Sequence, residues 1–202
     1  MLCGEYGLDE VGNYIDKFLN INNVDTRLVH RYLNGKSSLA LAFLNENNDA
    51  TYDFYNIPPN SRPTPVLPDI RPDDIVIFGS MYSISKDLRG RLIEFLQEAK
   101  KRKAIIYYDP NFRKQQLHVL QELRPYIEEN ISYCDILRGS NEDFSLIFGT
   151  KSAEDTYRLF ENYEIPLLYT ANKNGVTVLS KNMKSIMMFR KLRKAKSLIL
   201  KI

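Results

Sequence analysis

The sequence predicts an α/β fold, in which a mainly parallel sheet is covered by helices on both faces and a small β-hairpin precedes it. The main observation is an alternation of strand-like and helix-like segments between residues 74 and 179. Apolar runs typical of buried strands lie at 75–78, 104–108, 135–138, 166–170 and 176–179. Segments with helical spacing lie at 86–102, 114–130 (with a break near Pro125), 141–148 and 153–162. Successive strand–helix units favour a parallel sheet.

The residues before 74 predict smaller elements. Val11, Ile15 and Phe18 follow helical spacing, which predicts a helix over about 10–20. Apolar and aromatic runs at 38–44 and 51–55 flank a polar segment, which is typical of a β-hairpin. Five prolines between residues 58 and 68 predict an extended connector, because proline disfavours both helix and central strand.

Charge is distributed unevenly along the chain. The 202 residues carry 28 basic and 25 acidic side chains, a net charge of +3. Residues 181–202 contain eight of the basic side chains and no acidic one, which leaves 20 basic and 25 acidic side chains in the first 180 residues. The sequence therefore predicts a mildly acidic body, residues 1–180, and a basic tail, residues 181–202.

Composition argues against several classes of protein. Hydrophobic residues make up 44% of the chain, enough to bury a core and to argue against general disorder. No apolar run approaches the roughly 18 residues that cross a bilayer, and the first residues lack the pattern of a secretion signal. Two cysteines and two histidines argue against a His/Cys metal site. We therefore expect a reduced, cytoplasmic protein without a transmembrane segment and without a nucleic-acid partner.

Polar side chains follow four of the predicted strands at the point where each strand ends. These strand-end motifs are Gly79-Ser80, Asp109-Pro-Asn111-Phe-Arg113, Gly139-Ser140-Asn-Glu-Asp143 and Thr170-Ala-Asn-Lys-Asn-Gly175. Ligands of open α/β sheets bind outside the carboxyl ends of the strands. The four motifs therefore predict a ligand site along one rim of the sheet.

Each motif also has an interpretation that needs no ligand. Ser140 and Asp143 have the spacing of a helix capping box, in which a hydroxyl and a carboxylate satisfy free N–H groups. Ser152 and Asp155 repeat this spacing, and capping is the favoured interpretation of that second copy. The loop after Asp109 has the composition of an ordinary turn, and residues 174–175 are typical of a hairpin turn between two strands.

The order and spacing of these motifs resemble the PfkB family of ATP-dependent carbohydrate kinases, which has the ribokinase-like fold, with fructokinase-type members most similar. The resemblance runs from about Gly4 to Leu179. The motifs that carry it are Gly7-x-Asp9-x-x-Gly12, Asn23-Val-Asp25, Asp109-Pro-Asn111-x-Arg113, Ser140-Asn-Glu-Asp143 with Phe148-Gly149, and Thr170 to Gly175. Residues 36–57 resemble the two-stranded lid of this family.

The resemblance implies a substrate, cofactors and site residues. It implies a small-molecule sugar such as fructose as the substrate, and ATP with Mg²⁺ as cofactors. Asp109, Asn111 and Arg113 would line the sugar–phosphate cleft. The residues implied for the nucleotide are Ser140, Asp143, Thr170 and Gly175, with Asp143 also near the metal. The lid would offer a surface for a homodimer.

The sequence also departs from the family pattern. Asn172 replaces the middle glycine of the nucleotide loop, and Asp143 stands where the family usually has Glu. The family's first strand, which carries a sugar-binding Asp, and its G-A-G-D loop have no counterpart here. The last glycine is Gly175 and the last acidic residue is Glu164. The resemblance therefore implies a kinase fold that is incomplete at both ends.

These departures have a chemical consequence. Phosphoryl transfer needs donors that stabilise charge on the phosphate oxygens and a base close to the attacking hydroxyl. No G-x-x-x-x-G-K-[ST] sequence supplies the donors, and no carboxylate follows Gly175. We expect no useful rate of sugar phosphorylation from this polypeptide.

Two hypotheses for the function follow. In the first, residues 1–180 are the core of a PfkB-type sugar kinase and residues 181–202 are a non-family tail that arose by truncation or a change of reading frame. In the second, the chain is a non-catalytic nucleotide-binding, sugar-binding or dimerisation module. Its tail would then bind a membrane surface or an anionic partner, since Met188, Leu192 and Ile199 recur at helical spacing.

Overall fold

A computed structural model describes residues 1–44, 46, 50–57 and 68–187 of the chain. The chain divides into two compact units, Met1–Asp69 and Ile70–Ile202. Most of the predicted hairpin turn and most of the predicted proline-rich connector lie outside the described residues. None of the helices in the described ranges combines the length and the apolarity needed to span a bilayer.

In its described residues, the first unit contains one helix and two small sheets. Its elements are β1 (Cys3–Gly7), α1 (Glu10–Ile21), β2 (Leu28–Tyr32), β3 (Lys36–Leu44) and β4 (Ala50–Ile57). Strands β1 and β2 pair in parallel, and β3 and β4 form an antiparallel hairpin. The predicted helix and hairpin are confirmed, whereas β1 and β2 were not predicted.

Asp9 ties three elements of the first unit together. Its carboxylate accepts hydrogen bonds from the N–H of Gly12 (2.8 Å), the N–H of Ser37 (2.8 Å) and the hydroxyl of Ser37 (2.7 Å). The Ser37 oxygen also accepts a hydrogen bond from the N–H of Gly7 (2.9 Å). A Cβ atom on Gly12 would lie 1.9 Å from the carbonyl oxygen of Gly7, so only glycine fits there. The G-x-D-x-x-G motif therefore joins β1, the start of α1 and β3.

Asp9 makes the first unit sensitive to acid. The N–H of Gly12 and the two groups of Ser37 lower the pKa of Asp9 from 3.8 to about 2. A lowered pKa stabilises the fold above about pH 4, and this stabilisation is lost as the pH falls towards 2. We expect Asp9→Asn to reduce the fall in melting temperature over this range, as followed by circular dichroism.

Asp53→Asn is the control for this prediction, because Asp53 lies on the exposed hairpin. Part of the acid sensitivity should persist in both variants, since Arg27 lowers the pKa of Asp25 to about 2 as well. If the melting temperatures of the unchanged protein and Asp9→Asn fall in parallel as the pH is lowered, Asp9 is not a source of the acid sensitivity.

The second unit is built on a six-stranded sheet in the order β10-β9-β8-β7-β6-β5. Its strands are β5 (Ile75–Gly79), β6 (Ile105–Asp109), β7 (Ile136–Ser140), β8 (Leu167–Thr170), β9 (Val176–Ser180) and β10 (Met183–Met187). Its α-helices are α2 (Ser80–Ser83), α3 (Arg89–Lys101), α4 (Leu120–Tyr133), α5 (Asn141–Phe148) and α6 (Ala153–Phe160), and 3₁₀ turns cover Lys114–Val119, Glu161–Tyr163 and Asn172–Asn174. Strands β5 to β8 are parallel, and β9 and β10 continue the sheet in antiparallel fashion. The predicted mainly parallel sheet is confirmed.

One face of this sheet carries the buried core. Ile106, Tyr108, Leu137 and Leu167 alternate with less buried residues along their strands and are at most 2% exposed. Residues from four helices join them in one cluster, which includes Leu92, Leu96, Ala99, Ile127, Ile131, Phe144, Ile147, Ala153 and Phe160. Burial of this one face holds α3, α4, α5 and α6 against the sheet.

The opposite face of the sheet is more open in the described residues. The side chains of Ile75, Ile77 and Ile105 lie on this face and are 64%, 71% and 40% exposed. The four long helices contribute to the core on the other face. An apolar sheet face of this kind, next to the edge strand β5, favours association.

We expect this open face to make the chain oligomerise. Replacing Ile75 and Ile77 together by threonine keeps the preference for strand while reducing apolar surface, so light scattering should report a larger monomer fraction. Leu159→Thr removes an exposed leucine from α6 and serves as the control. A compact monomer for the unchanged protein at the same concentration would contradict the prediction.

The helical segment predicted at 114–130 differs from the sequence prediction. The break expected near Pro125 does not occur, because α4 runs through Pro125. Proline leaves the carbonyl of Gln121 without its helical partner, but Gln121 is exposed and water can satisfy it. The change of geometry lies earlier, where the 3₁₀ turn Lys114–Val119 gives way to α4.

The chain beyond residue 180 also differs from the prediction. Strand β10 pairs with β9, with Met183 opposite Ser180, so the predicted boundary after residue 180 falls within a β-hairpin. Lys181 forms an ion pair with Glu164, and Lys184 lies 2.6 Å from Glu154. The start of the predicted basic tail is therefore part of the sheet. The rest of it, residues 188–202 with the helical spacing noted above, lies outside the described residues.

Candidate functional site

The carboxyl ends of the parallel strands meet along one rim of the sheet. Gly79 is opposite Asp109 in the register of β5 and β6, and Ser140 is opposite Thr170 in that of β7 and β8. A Cβ atom on Gly79 would lie 1.8 Å from the carbonyl oxygen of Asp109, so glycine is required at this close approach. The structure thus brings the four predicted strand-end motifs to the same edge.

Arg138 connects three of these strands. It lies on β7, between Asp109 at the end of β6 and Thr170 at the end of β8. Its Nη1 is 2.6 Å from Oδ2 of Asp109, and its Nη2 donates a hydrogen bond of 3.2 Å to Oγ1 of Thr170. Arg138 was not predicted as a site residue, although a charged side chain between Leu137 and Gly139 in an otherwise apolar strand was a visible signal.

Asp109 has one bound and one unbound carboxylate oxygen. Oδ2 receives the Arg138 contact, whereas Oδ1 is buried and has no hydrogen-bond partner. Burial raises the pKa of Asp109 above its ordinary value, and the charge and hydrogen bond of Arg138 oppose that rise. A buried acceptor without a partner is costly, and a ligand donor would relieve this cost.

Asp143 joins helix α5 to the loop after β6. Its Oδ2 accepts hydrogen bonds from the N–H (2.7 Å) and the hydroxyl (2.6 Å) of Ser140, and its Oδ1 accepts one from the N–H of Phe112 (2.7 Å). The hydroxyl of Ser140 in turn caps the N–H of Asp143. The capping interpretation is therefore confirmed for Ser140 and Asp143, and the same carboxylate also holds the Asp109-Pro-Asn111 loop in place. Its role near a metal stays a prediction.

The second copy of the Ser-x-x-Asp spacing makes fewer bonds. The hydroxyl of Ser152 accepts a hydrogen bond of 3.0 Å from the N–H of Asp155. The side chain of Asp155 is 45% exposed and lies 3.7 Å from Arg158, whereas Asp143 is 5% exposed as a residue. The same Ser-x-x-Asp spacing thus has two outcomes. At Asp155 it gives a helix cap on the surface, and at Asp143 it gives a buried side chain that also bonds to the loop after β6.

The other two residues predicted to line the sugar–phosphate cleft differ: the backbone N–H of Asn111 lowers the pKa of Asp109, whereas Arg113 stands apart from this network. Asn111 has a φ of 42°, in the left-handed region that asparagine adopts more readily than most residues. Arg113 is exposed and forms no salt bridge within the ranges that the structure describes. Its backbone N–H donates to Oε1 of Gln116 at 3.2 Å. The structure does not draw Arg113 into the Asp109 and Arg138 contacts.

The predicted nucleotide loop is the turn between β8 and β9. The N–H of Ala171 donates to the carbonyl of Gly175 at 2.9 Å, and Thr170 is opposite Val176 in the register. Gly175 has a φ of 90°, which glycine accommodates without strain. The hairpin interpretation is confirmed. At the rim, Oγ1 of Thr170 accepts the hydrogen bond from Arg138.

The oxygen atoms at the rim can supply only part of the coordination sphere of a hard cation. In the described part of the chain, no group of three or more His, Cys, Asp or Glu side chains is placed to hold a metal. Oδ1 of Asn141, the first residue of α5, is buried without a hydrogen-bond partner. Mg²⁺ accepts such oxygens but takes most of its ligands from water and substrate phosphates. The residues present therefore fit an ion that is held chiefly by a bound polyphosphate.

Comparison with known proteins shows which family has this arrangement. The family model described as "pfkB family carbohydrate kinase" matches residues 1–193. "Probable fructokinase-2" from Arabidopsis thaliana is 26% identical over 188 residues, which are 89% of this chain and 56% of that protein. An ATP-dependent 6-phosphofructokinase from Thermoanaerobacterium thermosaccharolyticum is 22% identical over 180 residues, 88% of this chain and 56% of that protein. The chain thus spans little more than half the length of these relatives.

Solved structures share the fold. A fructokinase from Vibrio cholerae O395 with fructose, ADP and calcium bound superposes with a TM-score of 0.81 at 19% identity, over 95% of this chain and 63% of that one. The aminoimidazole riboside kinase from Salmonella enterica, in complex with aminoimidazole riboside and an ATP analogue, gives a TM-score of 0.77 at 15% identity, over 96% of this chain and 64% of that one. The ribokinase-like α/β fold predicted from the sequence is confirmed.

Proposed function

Because the chain belongs to the PfkB family of carbohydrate kinases, we propose that its second unit is the part of a sugar kinase where ATP and a sugar meet. The reaction would transfer a phosphoryl group from ATP to a hydroxyl of fructose or a similar sugar. The observation that carries the proposal is the rim, where Asp109, Arg138, Ser140 and Thr170 come together at the ends of adjacent parallel strands. Open α/β sheets bind ligands at this position.

Each rim residue has a proposed role. Asp109, Asn111 and Arg113 would line the side of the cleft that receives the sugar and the transferred phosphate. The residues proposed for the nucleotide are Ser140, Asp143, Thr170 and Gly175. When bound, Mg²⁺ would offset the charge of the phosphate oxygens, and we propose Asp143 and the free oxygen of Asn141 as the protein groups that would hold it.

We further propose that these 202 residues do not themselves catalyse the transfer. The last acidic residue is Glu164, which lies before β8 and forms an ion pair with Lys181. No glycine follows Gly175, so no glycine-rich turn is available beyond that point to bring backbone N–H groups to a phosphate. A base alone is worth roughly a hundredfold to ten-thousandfold in rate, and the N–H donors add to this.

A non-catalytic module is the second candidate, and the hairpin of the first unit favours it. Ala40, Ala42, Tyr52 and Phe54 share one face of the hairpin, and the rings of Tyr52 and Phe54 stack with their centroids 6.0 Å apart. All four side chains are exposed. An apolar two-stranded surface of this kind suits pairing with a second copy of the chain, and residual binding of nucleotide or sugar would be the remaining function.

Calorimetric titration with ATP and with fructose distinguishes the two candidates. A kinase core without its catalytic elements should bind neither ligand well, whereas a binding module should bind at least one of them with a saturable heat. Tyr52→Ser, which removes a ring from the hairpin face, should lower the oligomeric state only if the hairpin pairs. Phe43→Ser, on the opposite face of the same strand, is the matched control.

A further inference from the structure

Arg138 has a central place at the rim. It lies on β7, which pairs with β6 on one side and with β8 on the other. Adjacent strands are about 4.8 Å apart, so a guanidinium on the middle strand can reach both neighbours at once. Nη1 contacts Asp109 on β6 and Nη2 contacts Thr170 on β8. Its side chain is 31% exposed, so the contacts lie at the accessible edge of the sheet.

We propose that Arg138 is a positioning residue, which fixes the carboxylate of Asp109 with Oδ1 free to accept a hydrogen bond from a sugar hydroxyl and links it to Thr170. This inference rests on the proposed function for the identity of the ligand. The geometry explains why one oxygen of Asp109 is bound and the other is not, because Arg138 contacts Oδ2 and Oδ1 is left buried without a partner.

The shape of arginine matters for this role. The two terminal nitrogens of a guanidinium donate in fixed and different directions, so one side chain can hold a carboxylate and a hydroxyl in a set relation. The hydroxyl of Thr170 is fixed further, since it also contacts the carbonyl of Gly139 at 3.3 Å. A lysine keeps the positive charge but offers a single ammonium, which cannot hold both partners in the same way.

Arg138 also sets the charge of Asp109. Burial is the largest influence and raises the pKa of Asp109, and Asp143 on α5 raises it as well. Arg138 on β7 lowers the pKa, with a smaller contribution from the backbone N–H of Asn111. Without Arg138, the carboxyl would face burial and a neighbouring carboxylate with no nearby cation. It would then hold its proton to a higher pH and would lose its character as an acceptor.

Carbon-13 NMR titration of the Asp109 carboxyl carbon tests the proposal in the full chain. We expect its titration midpoint to rise by about one pH unit or more in Arg138→Met, since an opposite charge at this distance shifts such a group by 1–3 units. Arg138→Lys should restore the midpoint towards that of the unchanged protein. Arg158→Met removes an exposed arginine on α6 and should leave it unaltered. If Arg138→Met fails to fold, Arg138→Gln gives the same test with a polar side chain.

The outcomes separate this proposal from the proposed function. A midpoint in Arg138→Met or Arg138→Gln that matches the unchanged protein overturns the positioning role. Fructose, added to the unchanged protein at concentrations high enough to populate weak binding, should move the Asp109 signal, and this movement should be lost in Arg138→Met. If fructose leaves the signal of the unchanged protein still, the sugar assignment in the proposed function fails. Independently of fructose, the titration midpoints still decide whether Arg138 lowers the pKa of Asp109.

Discussion

Gly79→Ala should unfold the second unit at much lower denaturant concentration than the unchanged protein. Gly79 is opposite Asp109 in the register of β5 and β6, and an added Cβ would lie 1.8 Å from the carbonyl oxygen of Asp109. Both partners are backbone, so neither can move away without breaking the strand pairing. Overpacking costs 1–3 kcal/mol where side chains can adjust, so we expect a loss of at least about 3 kcal/mol in the free energy of unfolding.

The matched control for this change is Gly90→Ala in α3. Nothing lies within 4 Å of a Cβ built on Gly90, so the added methyl group meets open space. Alanine in a helix should then stabilise the protein by about 0.5–1 kcal/mol. Equal effects of the two substitutions in denaturant titrations would show that β5 and β6 are not in the close contact described.

Asp143→Asn should have the second largest effect on the free energy of unfolding. The carboxylate accepts three hydrogen bonds, from the N–H of Ser140, the hydroxyl of Ser140 and the N–H of Phe112. An amide can accept at one oxygen only, and its NH₂ group would face a donor at the other position. Hydrogen bonds to buried charged groups contribute about 1.5–3 kcal/mol each, so we expect a loss of about 3 kcal/mol. The loop from Asp109 to Phe112 should also lose protection in hydrogen exchange.

Asp155→Asn is the control, because it changes the same position of the second Ser-x-x-Asp motif. Its side chain is 45% exposed. The hydrogen bond that caps α6 is donated by the N–H of Asp155 to the hydroxyl of Ser152, so it does not involve the Asp155 side chain. The loss should stay below about 1 kcal/mol, the size of a charge–dipole interaction at a helix end. A similar loss for Asp143→Asn would mean that Asp143 is an ordinary cap and does not position the loop.

The strands and helices that were predicted correctly are those whose pattern of apolar residues matches the residues buried in the fold. The apolar runs at 75–78, 104–108 and 166–170 became strands of the sheet, and one face of each strand joins or packs against the buried core. Strand β1 was missed, since its residues Cys3–Gly7 alternate small, charged and aromatic side chains without a clear period. Strand β10 was missed because its pairing with β9, and not its own composition, makes it a strand.

The site was only partly predictable for the same reason. The rule on strand ends brought Asp109, Ser140 and Thr170 to one rim, because parallel strands must end at the same edge. The contact between Asp143 and the N–H of Phe112 joins residues 31 positions apart and depends on how α5 packs beside β6. The role of Arg138 likewise depends on its two neighbouring strands. Such contacts arise from the tertiary fold, and spacing along the chain does not contain them.

The most direct test of the account is fructose-dependent release of ADP from ATP by the 202-residue chain in the presence of Mg²⁺. We predict a rate no higher than that of a sample without protein, because no Asp, Glu or glycine-rich turn follows Gly175. The fructokinase from Vibrio cholerae O395, measured alongside, is the positive control for the assay. Release of ADP at an ordinary enzymatic rate, dependent on fructose and removed with the protein, would contradict the account.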